Sequence, residues 1–228
     1  MGQERGTAGS ADRRLIKLKI RTGQAFKSAW PVFISTESKI TRRATMTRVP
    51  YATRESMKDS VEQAIWDDIE TSRGGVARNY AALLNNPKAS EAMIGLGTYA
   101  RYNTPMNPRI KALAVLTAAR EACGHYVWTV NQPAAKDAGL SDEVIAAIRE
   151  YRAPNGLDSK DAAIVQFMIE LLRQHRISDE TFEAVRTMVG DAGVVDILAV
   201  TGYYHTLAHA LNALDVDLPE GTTSALTY

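Results

Sequence analysis

Apolar residues are spaced at helical intervals along most of this chain. Between residues 109 and 148, Leu113, Leu116, Cys123, Val127, Val130 and Ala134 fall on one stripe of a wheel turning about 100° per residue, the repeat of a core-facing helix. This is the longest helical pattern present, and the other elements are read around it. Val61, Ile65, Trp66 and Ile69 mark a helix over 55–72 that Gly74-Gly75 stops; Tyr80, Leu83 and Leu84 mark a shorter one ending before Pro87. Met93, Leu96 and Ala100 form one face of a helix over 88–102. Gly95 and Gly97 each cost that helix about 1 kcal/mol relative to Ala, so close helix packing is the expected reason for both.

Helix starts and stops can also be read directly. Asn107-Pro108 pairs an N-cap with a proline in the first turn, and Ser141 is followed by Asp142 and Glu143. Asp158 precedes a core-like run of Ala162, Val165, Phe167, Met168, Leu171 and Leu172, and Ser178 opens another helix with early acids. A break at 190–193 separates it from 194–214, which is apolar around most of its circumference and is expected at the centre of the fold or at a subunit interface. No β-type alternation runs beyond a few residues. The predicted class is all-α, a helical bundle.

Composition narrows the functional classes. The chain has 228 residues and 45% hydrophobic content, enough for one domain with a full core. It contains no apolar run near the ~20 residues a membrane span needs. Its single Cys excludes an internal disulfide and fits a reducing, cytoplasmic setting. The net charge of +1 conceals an asymmetry: residues 1–45 carry +7 and the rest −6. The division expected is a poorly ordered basic extension over 1–45 and a single domain over 46–228. The extension fits a mitochondrial-type presequence, a basic arm for an anionic partner, or a non-native segment upstream of Met46. A mildly acidic body argues against a nucleic-acid partner, because phosphate neutralisation needs a basic face.

Candidate chemistry lies on two helices. Arg120 falls in the apolar stripe and must find a carboxylate, a carbonyl or an anion. Thr201, His205, His209 and Asn212 lie within about 80° of one another, a polar strip on an apolar rod. Two imidazoles at i and i+4 can share a metal ion or divide acid and orienting roles, or they can belong to a solvated helix face. Glu121 and His125 repeat the spacing and read equally as an ordinary helix pair. If the two helices cross there, His205, His209, Glu121 and His125 would make a set acceptable to zinc or iron; otherwise no cofactor is expected. Cys123, on the apolar stripe without a second thiol nearby, reads as an inert buried group, and His175 as a cap at a helix end. Phosphate-binding glycine loops and serine-nucleophile elbows are absent from the sequence.

Several segments together resemble the carboxymuconolactone decarboxylase-like family, the helical group that includes the alkylhydroperoxidases. They are Ala119-Arg120-Glu121, Tyr126-Val127-Trp128, Asn131-Gln132-Pro133 and Ala138-Gly139-Leu140-Ser141. Asn85-Asn86-Pro87, His175-Arg176-Ile177-Ser178-Asp179, Gly202-Tyr203-Tyr204 and Leu218-Pro219-Glu220-Gly221 extend the likeness over roughly 46–221. Met46-Thr47-Arg48-Val49-Pro50-Tyr51 resembles the family's opening, which favours reading 1–45 as an added segment. The family's Glu, two Cys (or a Tyr-Glu-Trp tripeptide) and His correspond here to Ala112, Gly124, Val127 and Asn131, so the fold transfers but the reaction does not follow automatically.

The resemblance implies a homo-oligomer, trimeric or larger, acting on a small molecule. The implied activity is a lyase or isomerase working on an unsaturated carboxylate, a lactone or an aromatic compound. Arg120 and Tyr204 would hold the substrate, a histidine (His205, His209 or His125) with Glu121 would move the proton, and Tyr126 and Trp128 would line an aromatic pocket. The alternatives are a non-catalytic assembly protein of the same fold and, disfavoured by the missing dithiol, a peroxidase.

Overall fold

The computed structural model describes residues 47–227, and the basic extension lies outside them. Every regular element among the described residues is helical. After a 3₁₀ turn at Arg54–Ser56 come α1 (Ser60–Arg73), α2 (Arg78–Leu83) and α3 (Pro87–Thr98), which runs into a π-helical turn at Tyr99–Asn103. The central elements are α4 (Pro108–Glu121), α5 (His125–Asp137), α6 (Asp142–Arg149) and α7 (Ser159–Ile169), which a second π turn at Glu170–Gln174 extends. Last is α8, Asp179–Leu214, kinked at Gly190 where φ 70° and ψ 174° leave the helical region. No described helix is long and apolar enough to cross a membrane.

Local chemistry sets these boundaries. Asp59, Asn86, Asn107, Ser141, Asp158 and Ser178 each accept a hydrogen bond from a first-turn backbone N–H, satisfying donors that the helix itself cannot. Gly74 ends α1 in the left-handed conformation with its N–H on the Glu70 carbonyl.

Packing centres on α4. Every side chain from Ala112 to Arg120 is buried, with α5, α6, α7 and α8 around it. Full burial of Leu113 and Leu116 contributes about 1.5–3 kcal/mol each by transfer from water. Arg109 anchors the start of the helix with a bidentate grip on the buried Asp161 carboxylate of α7, at 3.0 and 2.6 Å. Glu121 anchors its end to Arg173 at 2.6 and 2.7 Å. The Glu170 carboxylate accepts from the Gln166 amide, the Ser178 N–H and the Thr181 hydroxyl, which together hold its pKa down to about 2 and tie the second π turn to the start of α8.

Four sequence expectations need correction. The stretch around 109–148 is not one continuous stripe: Cys123, at φ 47°, turns the chain between α4 and α5, so Cys123 is half-exposed and Val130 is 37% exposed. Val61 stands in solvent at the N-terminal end of α1, where nothing packs over it. The buried face of α3 is Ser90, Ile94 and Gly97 rather than the side that carries Leu96. Finally, the two glycines of α3 differ. A Cβ at Gly97 would sit 2.4 Å from the Tyr203 hydroxyl, whereas one at Gly95 would meet nothing within 4 Å.

Opposite stability changes are therefore expected two residues apart. Gly95→Ala should stabilise by up to about 1 kcal/mol through helix propensity, and Gly97→Ala should destabilise by about 1–3 kcal/mol through overpacking against Tyr203. Urea denaturation midpoints measure both, and matching shifts would contradict the packing described.

Candidate functional site

Ala112 and Asn131, two of the four positions that the sequence resemblance pairs with the family's catalytic residues, meet at one cavity of about 480 Å³. The first turns of α4 supply Lys111, Ala112 and Val115, and α5 supplies Asn131 and Ala134. The π turn after α3 contributes Arg101, and α8 contributes Tyr204. The wide turn closes with the Thr104 N–H on the Tyr99 carbonyl, five residues back, and it delivers Arg101 to the cavity.

Two cations, Arg101 and Lys111, and one exposed carboxylate, Asp137, line the cavity. Arg101 Nε approaches the Tyr204 hydroxyl at 3.5 Å, the long end of the hydrogen-bond range, and Lys111 Nζ donates to the Arg101 carbonyl at 3.0 Å. Neither cation forms an ion pair with a carboxylate among the described residues. Burial works against the Arg101 charge, but the phenols of Tyr204, Tyr80 and Tyr102 outweigh it and hold the guanidinium's pKa above the ordinary arginine value. Tyr204 is buried and packs edge-on against Tyr203, with ring centroids 5.0 Å apart. Asn131 donates from Nδ2 to the Val127 carbonyl at 2.7 Å, leaving its amide oxygen as the polar group it can offer the cavity.

The remaining two equivalents are closed by packing. A Cβ at Gly124 would lie 2.5 Å from the Ala208 Cβ of α8, so no side chain fits there, and Val127 is 1% exposed within the core. Tyr126 and Trp128 are core residues as well, with the Tyr126 hydroxyl donating to Asn79 Oδ1 at 3.2 Å. Neither is among the residues that line this cavity.

Of the candidate catalytic residues named from sequence (His205, His209, Arg120, His125, Glu121 and Tyr204), only Tyr204 lines the cavity. Arg120 and Glu121 lie at the opposite end of α4, roughly 14 Å further along the helix, with Cys123 in the turn beyond it, and His205 and His209 follow Tyr204 on α8 without being among the lining residues. The Arg120 guanidinium lies 3.8 Å from the Tyr151 ring centroid and donates from Nη1 to the Thr227 carbonyl at 3.1 Å. The buried cation is thus met by a ring and a carbonyl rather than by a carboxylate. The Cys123 Sγ lies 3.9 Å from the Tyr151 hydroxyl in the α4–α5 turn, so the thiol is not buried on an apolar stripe.

The polar strip on α8 is divided in space. Thr201 is fully buried, and Asn212 donates to the Ala122 and Cys123 carbonyls at 2.8 and 3.2 Å. His209 is exposed with Nδ1 3.0 Å from the His205 carbonyl, and the two imidazoles meet edge-on at 4.4 Å. Glu121 is committed to Arg173, and His125 sits half-buried in the first turn of α5. Among the described residues no three His, Cys, Asp or Glu side chains form a metal-holding group, so His205, His209, Glu121 and His125 do not assemble into one. His175 caps its helix end in the left-handed conformation.

No protein-family model matches the sequence, and no curated protein matches it. Solved structures do. An uncharacterized peroxidase-related protein from Ralstonia eutropha JMP134, described as an alkylhydroperoxidase AhpD core, superposes with a TM-score of 0.64 at 13% identity over 78% of this chain and 95% of that one. The chain has the AhpD-like fold. The putative antioxidant defence protein AhpD from Agrobacterium tumefaciens matches with a TM-score of 0.53 at 18% identity, over 59% of this chain and 93% of the other. The debrominase Bmp8 in complex with 2,3,4-tribromopyrrole matches with a TM-score of 0.58 at 13% identity, over 78% and 94%. The all-α class and the alkylhydroperoxidase-like architecture expected from the sequence are therefore the ones observed.

Sequence reasoning missed Arg101 and Lys111. Arg101 lies beside Tyr102 and Asn103 in what reads as a loop, and Lys111 looks like an ordinary solvated lysine; no spacing rule marks a π turn.

The histidine pair makes a checkable titration. Burial, then repulsion from His209, pulls the His205 pKa below 6.5, while Glu121 acts in the opposite sense. The unfolded chain then binds the proton more readily than the folded one, so stability falls as the pH drops below about 6.5. Imidazole NMR should place the His205 midpoint below that of His209→Gln protein; an unchanged midpoint in the variant would contradict the pairing.

Proposed function

We propose that the cavity bounded by Arg101, Lys111, Asn131 and Tyr204 is the working site, and that the protein is a thiol-independent lyase or isomerase of small unsaturated or aromatic carboxylates and lactones. The observation that supports this reading is a pair of cations, Arg101 and Lys111, facing one cavity with neither in an ion pair among the described residues; the single carboxylate in the lining, the exposed Asp137, is bonded to neither. Arg101 and Lys111 would neutralise the substrate carboxylate and the oxyanion that develops as a C–C or C–H bond breaks. The electron pair left by departing CO₂ would pass into the conjugated acyl group, and the Tyr204 hydroxyl would return a proton to carbon and regain one from water. Bmp8 holds a small planar ring within the same fold, and a cavity of about 480 Å³ is ample for a ring of that size.

The apolar residues at two of the family positions, Ala112 and Val127, favour a second reading, a helical binding protein that retains the anion site without turnover. Under both readings we place a second copy of the chain against α8, where Val195 is 63% and Leu198 38% exposed and Gly202 leaves room for close approach.

Titration calorimetry with benzoate and sorbate should show carboxylate binding that Arg101→Gln weakens by about 1.5–3 kcal/mol, the range for a hydrogen bond to a charged group. Tyr204→Phe should lower turnover on unsaturated carboxylates with little change in KM. Wild-type affinity in Arg101→Gln protein would overturn the site, and binding without turnover would select the second reading. Thiol-dependent hydroperoxide reduction that vanished in Cys123→Ser would overturn both. Light scattering at micromolar protein should report an oligomer, and a monomer would remove the α8 interface.

A further inference from the structure

A second cleft, of about 330 Å³, lies between the start of α4 and the kink in α8. Met106 and Ile110 form one wall, and Met188, Val189 and Gly193 form the other. The bend at Gly190 brings residues from both halves of α8 to the same opening. The lining is mostly apolar and holds two thioethers; its polar side chains are Asn107, whose Oδ1 caps α4, and one ionisable group, Asp196.

Asp196 is only 7% exposed. Its Oδ1 accepts a hydrogen bond from the Tyr99 hydroxyl, and among the described residues Oδ2 accepts none. No Lys, Arg or His lies within ion-pair distance of it among those residues. The other buried acids are treated differently: Asp161 is gripped by Arg109, Glu121 by Arg173, and Glu170 accepts three hydrogen bonds. Oδ2 keeps contact with solvent, so this carboxylate has one oxygen free to meet a cation that enters the cleft.

We propose that this cleft binds a small organic ammonium with an aromatic body, the charge resting on Asp196 and the ring lying between Met106 and Met188. Sulfur–aromatic contacts with flexible thioethers suit a flat apolar group, and the buried carboxylate discriminates a cation from its neutral isostere. This site is separate from the Arg101 cavity and opposite to it in charge preference. The two share one element, because the π turn that presents Arg101 to the first cavity also presents Tyr99 to Asp196.

The test uses full-length protein with ¹³C-labelled methionine methyls, titrated with benzylammonium chloride and, at equal ionic strength, with benzyl alcohol. The expected result is saturable movement of the Met106 and Met188 methyl signals with the ammonium, and binding of the alcohol weaker by roughly tenfold or more. Asp196→Asn keeps an acceptor for Tyr99 and should reduce ammonium binding to the level of the alcohol. Tyr99→Phe leaves the carboxylate without its neutral partner and should bind the ammonium at least as tightly as wild type. Arg101→Gln should leave it unchanged, which separates this site from the carboxylate cavity. Equal affinity for the two probes, undiminished binding by Asp196→Asn, or no saturable shift at millimolar ammonium would each overturn the proposal. The comparison of the two probes in wild-type protein decides the matter even where a variant fails to fold.

Discussion

A helix buried on every side dictates most of this structure. From Ala112 to Arg120 α4 has no solvent face, so its neighbours must come close all round, and alanine at 112, 114, 118 and 119 is what allows that approach. The same burial leaves few places for polar groups. Arg120 is met by a ring and a carbonyl, and the Thr117 hydroxyl is buried without a hydrogen-bond partner among the described residues. Both cavities described above lie where α4 begins.

The absence of family thiols is a matter of volume as well as residue identity. Gly124 and Ala208 form a contact with no room for another heavy atom, and Val127 is sealed in the core. Restoring a thiol at 124 would require a change on α8 at the same time. Ala112 and Asn131, by contrast, border open space, together with Arg101, Lys111 and Asp137. A fold whose solved examples include a debrominase and peroxidase-related proteins thus presents in this chain a cavity with no thiol among its lining residues.

Local signals in the sequence carried well into three dimensions. Asn107, Ser141, Asp158 and Ser178 cap the helices they precede, and Gly190 breaks α8 as its position suggests, because caps and breaks depend on a few adjacent residues. The site was less legible because it depends on what packs against a helix, which a wheel does not contain. Thr201, His205, His209 and Asn212 are one strip on the wheel, yet the core takes Thr201, the α4–α5 turn takes Asn212, and His209 is left exposed. Tyr204, only three residues from Thr201, was reached through the family resemblance rather than through periodicity. Arg101 had no signal at all, since a π turn leaves no mark in hydrophobic spacing.

That π turn amounts to one residue more than an α-helix would use over the same span. Without the surplus residue, every side chain after it would rotate by about 100° about the helix axis, and Arg101 would swing away from Tyr204. The extra residue therefore works like a one-tooth offset between two gears: Tyr99 can stay engaged with α8 on one side while Arg101 is turned to a different cavity on the other. A single-codon insertion or deletion near this turn would therefore shift Arg101 relative to Tyr204 and, with it, Ala100, the fully buried core residue of the same turn.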